Sequence, residues 1–191
     1  METNKNTART ALIVGLKLLL ICAVVAGVVS FVYSVTIDAY NQNLENEIRK
    51  SISTIFDASE ADVIDYTSDS VEDSDIKAFY TVTKNGETVG YCVNVIGKGF
   101  GGEISLMVGY HADGTIRGVS VVSHSETAGV GEKAMKEEYL KQYTGLSGMI
   151  TVSKGTGTDV TAISGATISS KAINAAMNRA NEFLRNRGVA G

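Results

Sequence analysis

Proline and tryptophan are absent from the 191 residues, and cysteine occurs only twice. Without proline, no Pro-rich linker divides the chain. Cys22 lies in an apolar N-terminal run, which leaves Cys92 without a partner in the rest of the chain and excludes a disulfide framework. No CxxC, HExxH or cluster of His and Cys occurs, so the usual zinc and iron–sulfur ligand patterns are missing. A G-x-S-x-G elbow and a Walker pattern are also missing, and no G-x-G-x-x-G opens a helix. His124 has Ser123, Ser125 and Glu126 beside it, but sequence neighbours are rarely triad partners. His111 reads as a solvated turn residue. The acids are too many for a catalytic carboxylate pair to be picked out. No independent catalytic constellation emerges.

Charge is unevenly spread. Residues 1–37 carry Lys5, Arg9 and Lys17 against Glu2, a net of +2, so the remainder holds −6 of the overall −4. An acidic body argues against nucleic acid as a partner.

What the chain does have begins with residues 18–37, twenty positions without a charge. At about 1.5 Å per residue, such a helix spans a hydrocarbon core of roughly 30 Å. The apolar pattern already starts at residue 11, with Lys17 placed to snorkel and Tyr33 and Tyr40 at interfacial positions. Basic residues precede the run and Asp38, Glu45 and Glu47 follow it, so the positive-inside rule predicts a cytoplasmic N-terminus and an extracytoplasmic body. A cleaved signal peptide is the rival reading. Its apolar region would be shorter, and no A-x-A site closes this one, which favours an uncleaved anchor.

Residues 38–56 predict an amphipathic helix on the spacing of Leu44, Ile48, Ile52 and Ile55. Residues 57–75 hold eight acids and no Lys or Arg, and read as a solvated, partly helical loop rather than an acidic docking face or cation site. Four alternating runs then predict an antiparallel sheet: residues 79–83 and 88–96 joined at Asn85-Gly86, and residues 103–110 and 115–123 joined at Asp113-Gly114. Between the pairs lies Gly97-Lys98-Gly99-Phe100-Gly101-Gly102, by default a bulge or wide loop. A polar loop, residues 123–132, leads into a helix whose apolar face is Ala134, Met135, Tyr139 and Leu140. A short strand over 149–152 and a Gly/Thr-rich loop over 155–161 come next. A closing helix over 168–186 carries the stripe Ile173, Met177, Ala180 and Leu184.

The remaining motif is Ser164-Gly165-Ala166-Thr167-Ile168-Ser169-Ser170, at the loop-to-helix junction. Small and hydroxyl residues there leave backbone N–H groups free for an anion, and Thr167 adds one hydroxyl at the positive helix end. Alone, the stretch reads as a plain N-cap. With an anchor and glycine loops it suits a phosphorylated cofactor that brings its own chemistry.

The three motifs at 97–102, 123–131 (S-H-S-E-T-A-G-V-G) and 164–170, in this order behind one anchor, resemble the FMN-binding domain family. The G component of the Rnf electron-transport complex (RnfG) is the better match in length, and the C component of the sodium-translocating NADH:quinone reductase is the alternative. The resemblance implies an α+β fold: one transmembrane helix, then a single FMN-binding domain with an antiparallel sheet packed by helices. Its divisions are a cytoplasmic N-terminus (1–10), an anchor (11–37), a linker helix with the acidic segment (38–75) and the FMN-binding domain (76–191). It implies FMN joined through its phosphate to the Thr167 hydroxyl, with Ser164, Gly165, Ala166, Ile168, Ser169, Glu126, Thr127, Gly129, Gly131, Gly101 and Gly102 around it. It also implies a flavin transferase, membrane lipid and the other Rnf subunits as partners, without independent turnover. A stand-alone extracytoplasmic FMN carrier and a cofactor-free binding module are the further alternatives. Two positions depart from the family: Ala128 replaces the usual Pro, and Thr161 stands where many members have Asp, with Asp159 two residues upstream.

Overall fold

The computed structural model describes residues 2–57, 64–69, 71, 73–155 and 159–189. Contacts divide the chain into two units, Met1–Glu45 and Asn46–Gly191.

Helix α1, Glu2–Ile55, runs unbroken through the residues expected to form an anchor and a separate linker helix. From Ala11 onward it is long and apolar enough to cross a membrane, with a mean hydropathy of 2.8 in its most apolar window. In the first unit its large apolar side chains, among them Leu12, Leu19, Val25 and Phe31, are exposed.

The second unit is built on five antiparallel strands in the order β1-β2-β3-β4-β5: Ile64–Asp69, Ile76–Lys84, Glu87–Lys98, Glu103–Tyr110 and Ile116–His124. The four predicted runs are β2 to β5. Asn85 (φ 53°) and Gly86 (φ 86°) take the left-handed conformations that a two-residue hairpin with native twist demands. Asp113 closes the β4–β5 turn by accepting from the Thr115 N–H at 2.9 Å.

β1 corrects the reading of the acidic segment as a partly helical loop. It pairs with β2 along Ile64–Asp69, and two of the acids in and beside it are neutralised from afar. Asp69 meets Arg187 at 3.0 Å and Asp73 meets Arg179 at 2.5 Å, which turns a run of like charges into a docked edge. The rest of that segment, residues 58–63, 70 and 72, lies outside the described residues.

Both faces of the sheet are covered. On one, the end of α1 lies against glycines: a Cβ at Gly109 would overlap Ile55 Cγ2, and one at Gly90 would come within 2.9 Å of the Phe56 ring. Arg117 closes that helix end, donating from Nε to the Ile55 carbonyl at 3.0 Å with its guanidinium over Phe56. On the other face lies α3, Thr167–Asn186. Its stripe Ile173, Met177, Ala180 and Leu184 is buried as predicted, among Val93, Val95, Leu106 and Tyr110. Gly97 lets the helix come close, since a Cβ there would stand 2.9 Å from the Ala172 carbonyl oxygen.

The single helix expected after residue 132 is instead a 3-10 turn at Gly131–Met135, a four-residue helix α2 at Glu137–Leu140 and a second 3-10 turn at Lys141–Tyr143. Lys136 is extended (ψ 142°) and breaks the run, yet Ala134, Tyr139 and Leu140 are buried as expected. β6 (Val152–Ser153) and β7 (Val160–Thr161) form a two-residue parallel ladder, and residues 156–158 of the predicted Gly/Thr-rich loop lie outside the described residues.

Candidate functional site

α3 begins without a side-chain cap. Its N-cap residue is Ala166, φ −122° and ψ 31°, so the plain Ser/Thr cap is not what is built. Gly165, at φ +84° with open space around it, turns the chain into the helix. Ser164 is exposed beside it. The Ser170 hydroxyl reaches back to accept from the Ile163 N–H at 3.2 Å, and the Ser170 N–H begins the helical ladder on the Ala166 carbonyl at 2.9 Å. Among the described residues, the N–H groups of Thr167, Ile168 and Ser169 and the Thr167 hydroxyl have no hydrogen-bond partner. Three unsatisfied donors at the positive end of a twenty-residue helix form a pre-oriented anion seat.

One carboxylate gathers the other two motifs to this helix start. Glu126 is buried, 8% exposed. Its Oε1 accepts from the Gly101 N–H at 3.0 Å and its Oε2 from the Ser169 hydroxyl at 2.8 Å. Its own N–H donates to His124 Nδ1 at 3.3 Å. The glycine-rich 97–102 segment is neither a bulge nor a wide loop but a tight β3–β4 hairpin loop, closed by the Gly99 N–H on the Gly102 carbonyl at 2.8 Å. Gly102 there is at φ +148°, and a Cβ on Gly101 would overlap the Ser125 carbonyl. In the third motif, Gly129 (φ +77°) donates its N–H to Glu132 at 3.2 Å, and the exposed Thr127 accepts from the Val130 N–H at 3.3 Å through its carbonyl. The N–H groups of Gly101 and Gly129 are therefore engaged within the protein.

Around this junction stand three exposed apolar side chains: Phe100 at 70%, Ile168 at 55% and Val130 at 49%. Each is the chain neighbour of a residue that touches Glu126 or would collide with it, namely Gly101, Ser169 and Gly131. Phe100 and Val130 lie in the 99–102 and 126–131 loops that the sequence motifs point to, but neither stands out there by itself. The signal that could have found them is a large apolar residue between glycines, with no helical or strand period to bury it.

Upstream, the Asp159 carboxylate is committed to Thr151, accepting from both its N–H and its hydroxyl at 2.8 Å. The Thr151 N–H, with the hydroxyl behind it, holds Asp159 below the usual carboxylate range. It is not a loose replacement for the Asp that Thr161 displaces. Thr161 donates its N–H to Gln142 at 2.9 Å.

The FMN-binding domain family matches residues 99–182, a stretch that holds all of these groups. The G component of the ion-translocating oxidoreductase complex from Methanosarcina acetivorans is 33% identical over 171 residues, covering 87% of this chain and 90% of that one. The chain belongs to the RnfG family of ion-translocating oxidoreductase complexes. The G component of the proton-translocating ferredoxin:NAD(+) oxidoreductase complex of Clostridium ljungdahlii is 34% identical, and that of the Na(+)-translocating complex of Acetobacterium woodii 36%. Both alignments cover 56% of this chain, and the chain spans 59% and 55% of those relatives' lengths. The crystal structure of Shewanella oneidensis NqrC, 25% identical, aligns with a TM-score of 0.45 over 59% of this chain and 62% of that one.

The residues of this family member fit a flavin mononucleotide. The orphan N–H groups of the first α3 turn suit a phosphate, Gly165 leaves the approach open, and Phe100, Val130 and Ile168 offer apolar surface to a ring.

Proposed function

We propose that this chain is a membrane-anchored electron-carrying subunit of an ion-translocating ferredoxin:NAD oxidoreductase complex, with FMN held as a phosphoester on Thr167. The observation that carries the reading is the uncapped start of α3. Thr167 is the first helical residue, its hydroxyl is unbonded among the described residues, and three N–H groups surround it without partners. A phosphodiester there keeps one negative charge at the helix end where about half a positive charge resides. Residues 164–169 hold the phosphoryl end, and the 99–102 and 126–131 loops flank the ring, with Phe100, Val130 and Ile168 as its apolar wall. FMN supplies the electron-transfer chemistry when bound. The chain's own residues anchor the phosphate, exclude water from the ring and bring the domain to the membrane through residues 11–37.

The N-terminus is cytoplasmic and the domain, residues 76–191, extracytoplasmic, on the excess of Lys and Arg before the apolar run. A covalent bond outside the cytoplasm keeps the flavin from being diluted away. The other membrane and redox subunits of the complex, and a flavin transferase, are the partners on this reading, and the names of the relatives support a place in such a complex.

Co-expression with a flavin transferase should give a fluorescent band on a denaturing gel. The intact mass should rise by FMN less one water, on a peptide containing Thr167. A band that persists in Thr167→Ala refutes the attachment site, and protein that stays colourless with the transferase present refutes the flavin.

A further inference from the structure

We infer that Glu126 is the positioning residue of this site: a buried carboxylate that clasps the β3–β4 loop to the first turn of α3 and is not itself a flavin ligand. The inference rests on the flavin reading for its consequence, but the clasp is a property of this chain alone. Glu126 is an acceptor with two donors, the Gly101 N–H at 3.0 Å and the Ser169 hydroxyl at 2.8 Å, one on each carboxylate oxygen. No Lys, Arg or His pairs with it among the described residues. A buried acid held by neutral donors is tolerated only when those donors are well placed.

Two glycines make the room. A Cβ at Gly99 would overlap Oε1 and one at Gly131 would overlap Oε2. These glycines, one from each loop motif, thus serve the carboxylate rather than a cofactor's close approach. The residues beside the clasped groups, Phe100, Ile168 and Val130, are the exposed apolar ones. Fixing Gly101 to Ser169 therefore fixes the distance across the apolar wall, and a ring bound there inherits that spacing.

The test uses three variants in the full chain. In flavin-free protein, Glu126→Ala should let the Gly101 amide exchange with solvent roughly tenfold faster or more, the loss of one part-buried hydrogen bond to a carboxylate. Glu126→Gln should keep its protection, because the amide oxygen still accepts from Gly101 while its NH2 donates to the Ser169 oxygen. In flavin-loaded protein, Glu126→Ala should retain the fluorescent band yet shift the flavin absorption and midpoint potential, with Glu126→Gln restoring both. A wild-type exchange rate, or a wild-type absorption and potential, in Glu126→Ala overturns the inference. So does a Gln variant as perturbed as the Ala variant. If Glu126→Ala fails to fold, Ser169→Ala severs the Oε2 arm alone. It should shift the absorption with Gly101 still protected, and an unshifted absorption overturns the clasp. A wild-type protein without flavin would sink the functional reading while leaving the exchange result to judge the clasp.

Discussion

Within α3, residues 167–169 leave three N–H groups and the Thr167 hydroxyl without a hydrogen-bond partner among the described residues, whereas Asn174, Asn178, Arg179 and Asn181, with Arg187 just past the helix end, are bonded to neighbouring segments. Asn174 and Asn178 both donate to the Ile150 carbonyl at 2.9 Å, and Asn178 accepts from the Ile150 N–H at 2.8 Å. Asn181 accepts from the Tyr110 hydroxyl at 2.8 Å and donates to the Gly148 carbonyl at 2.7 Å. Arg179 and Arg187 bind Asp73 and Asp69. The helix is held by its body, which leaves the donors of its first turn oriented and free to meet an anion. That division makes a rigid anion seat: the donors are oriented by packing they do not take part in.

The sharpest way to break this contrast is to loosen the body. Met177 is fully buried beneath the sheet, and Met177→Ala should cost about 2–5 kcal/mol through lost contacts and a residual cavity. Urea unfolding of the flavin-free domain should show a lower midpoint with little change in slope, and flavin attachment should fall with it. A loss well under 1 kcal/mol would mean that α3 is not what holds the site. Asn181→Ala is the polar counterpart. It strips the buried Tyr110 hydroxyl of its partner, and leaving such a donor unsatisfied costs about 1–3 kcal/mol.

The body of α3 was readable because its signal is periodic. Ile173, Met177, Ala180 and Leu184 recur at helical spacing, and the two hairpins announced themselves at Asn85-Gly86 and Asp113-Gly114. What failed was local reading of long-range pairing. The acids around β1 looked solvated because Arg179 and Arg187, more than a hundred residues away, carry no mark of where they will fold. The helix expected after residue 132 broke at Lys136, where tertiary packing of Ala134 and Tyr139 overrode a continuous local pattern. The candidate site was legible as three motifs in order, and the structure brings Gly101, Glu126 and Ser169 of those motifs together. That Ala166, which has no capping side chain, would be the N-cap was not legible, nor that Glu126 would join all three motifs. Both depend on backbone dihedrals and approach distances that no spacing encodes.

A smaller and pH-dependent effect tests the far end of the contrast. The Asp75 N–H holds the Asp73 carboxyl below the usual carboxylate range, with Arg179 and the Ile76 N–H behind it and burial opposing them. A carboxyl depressed in the folded state stabilises the fold above its unfolded value of about 3.9 and loses that contribution as pH falls through the folded value. Asp73→Asn should therefore be less stable than wild type near neutral pH, with the gap closing as pH drops below about 4. Arg179 is 41% exposed, so the gap should not exceed about 1 kcal/mol. A gap that widens in acid would contradict the assignment.

The smallest expected change in stability belongs to Thr167, the residue proposed to carry the flavin. Thr167 is half-buried, and its hydroxyl makes no hydrogen bond among the described residues, so Thr167→Ala removes no partner from the fold. Thermal melts of the flavin-free wild-type and variant proteins should agree to within about 0.5 kcal/mol. Thr167→Ser should be equally neutral and should keep the hydroxyl. If Thr167→Ala instead destabilised the flavin-free domain by more than about 1 kcal/mol, the first turn would be part of the structural body of α3. Loss of the fluorescent band in that variant would then report misfolding rather than a missing attachment oxygen. Neutral stability together with a lost band is the combination that separates the seat from the scaffold.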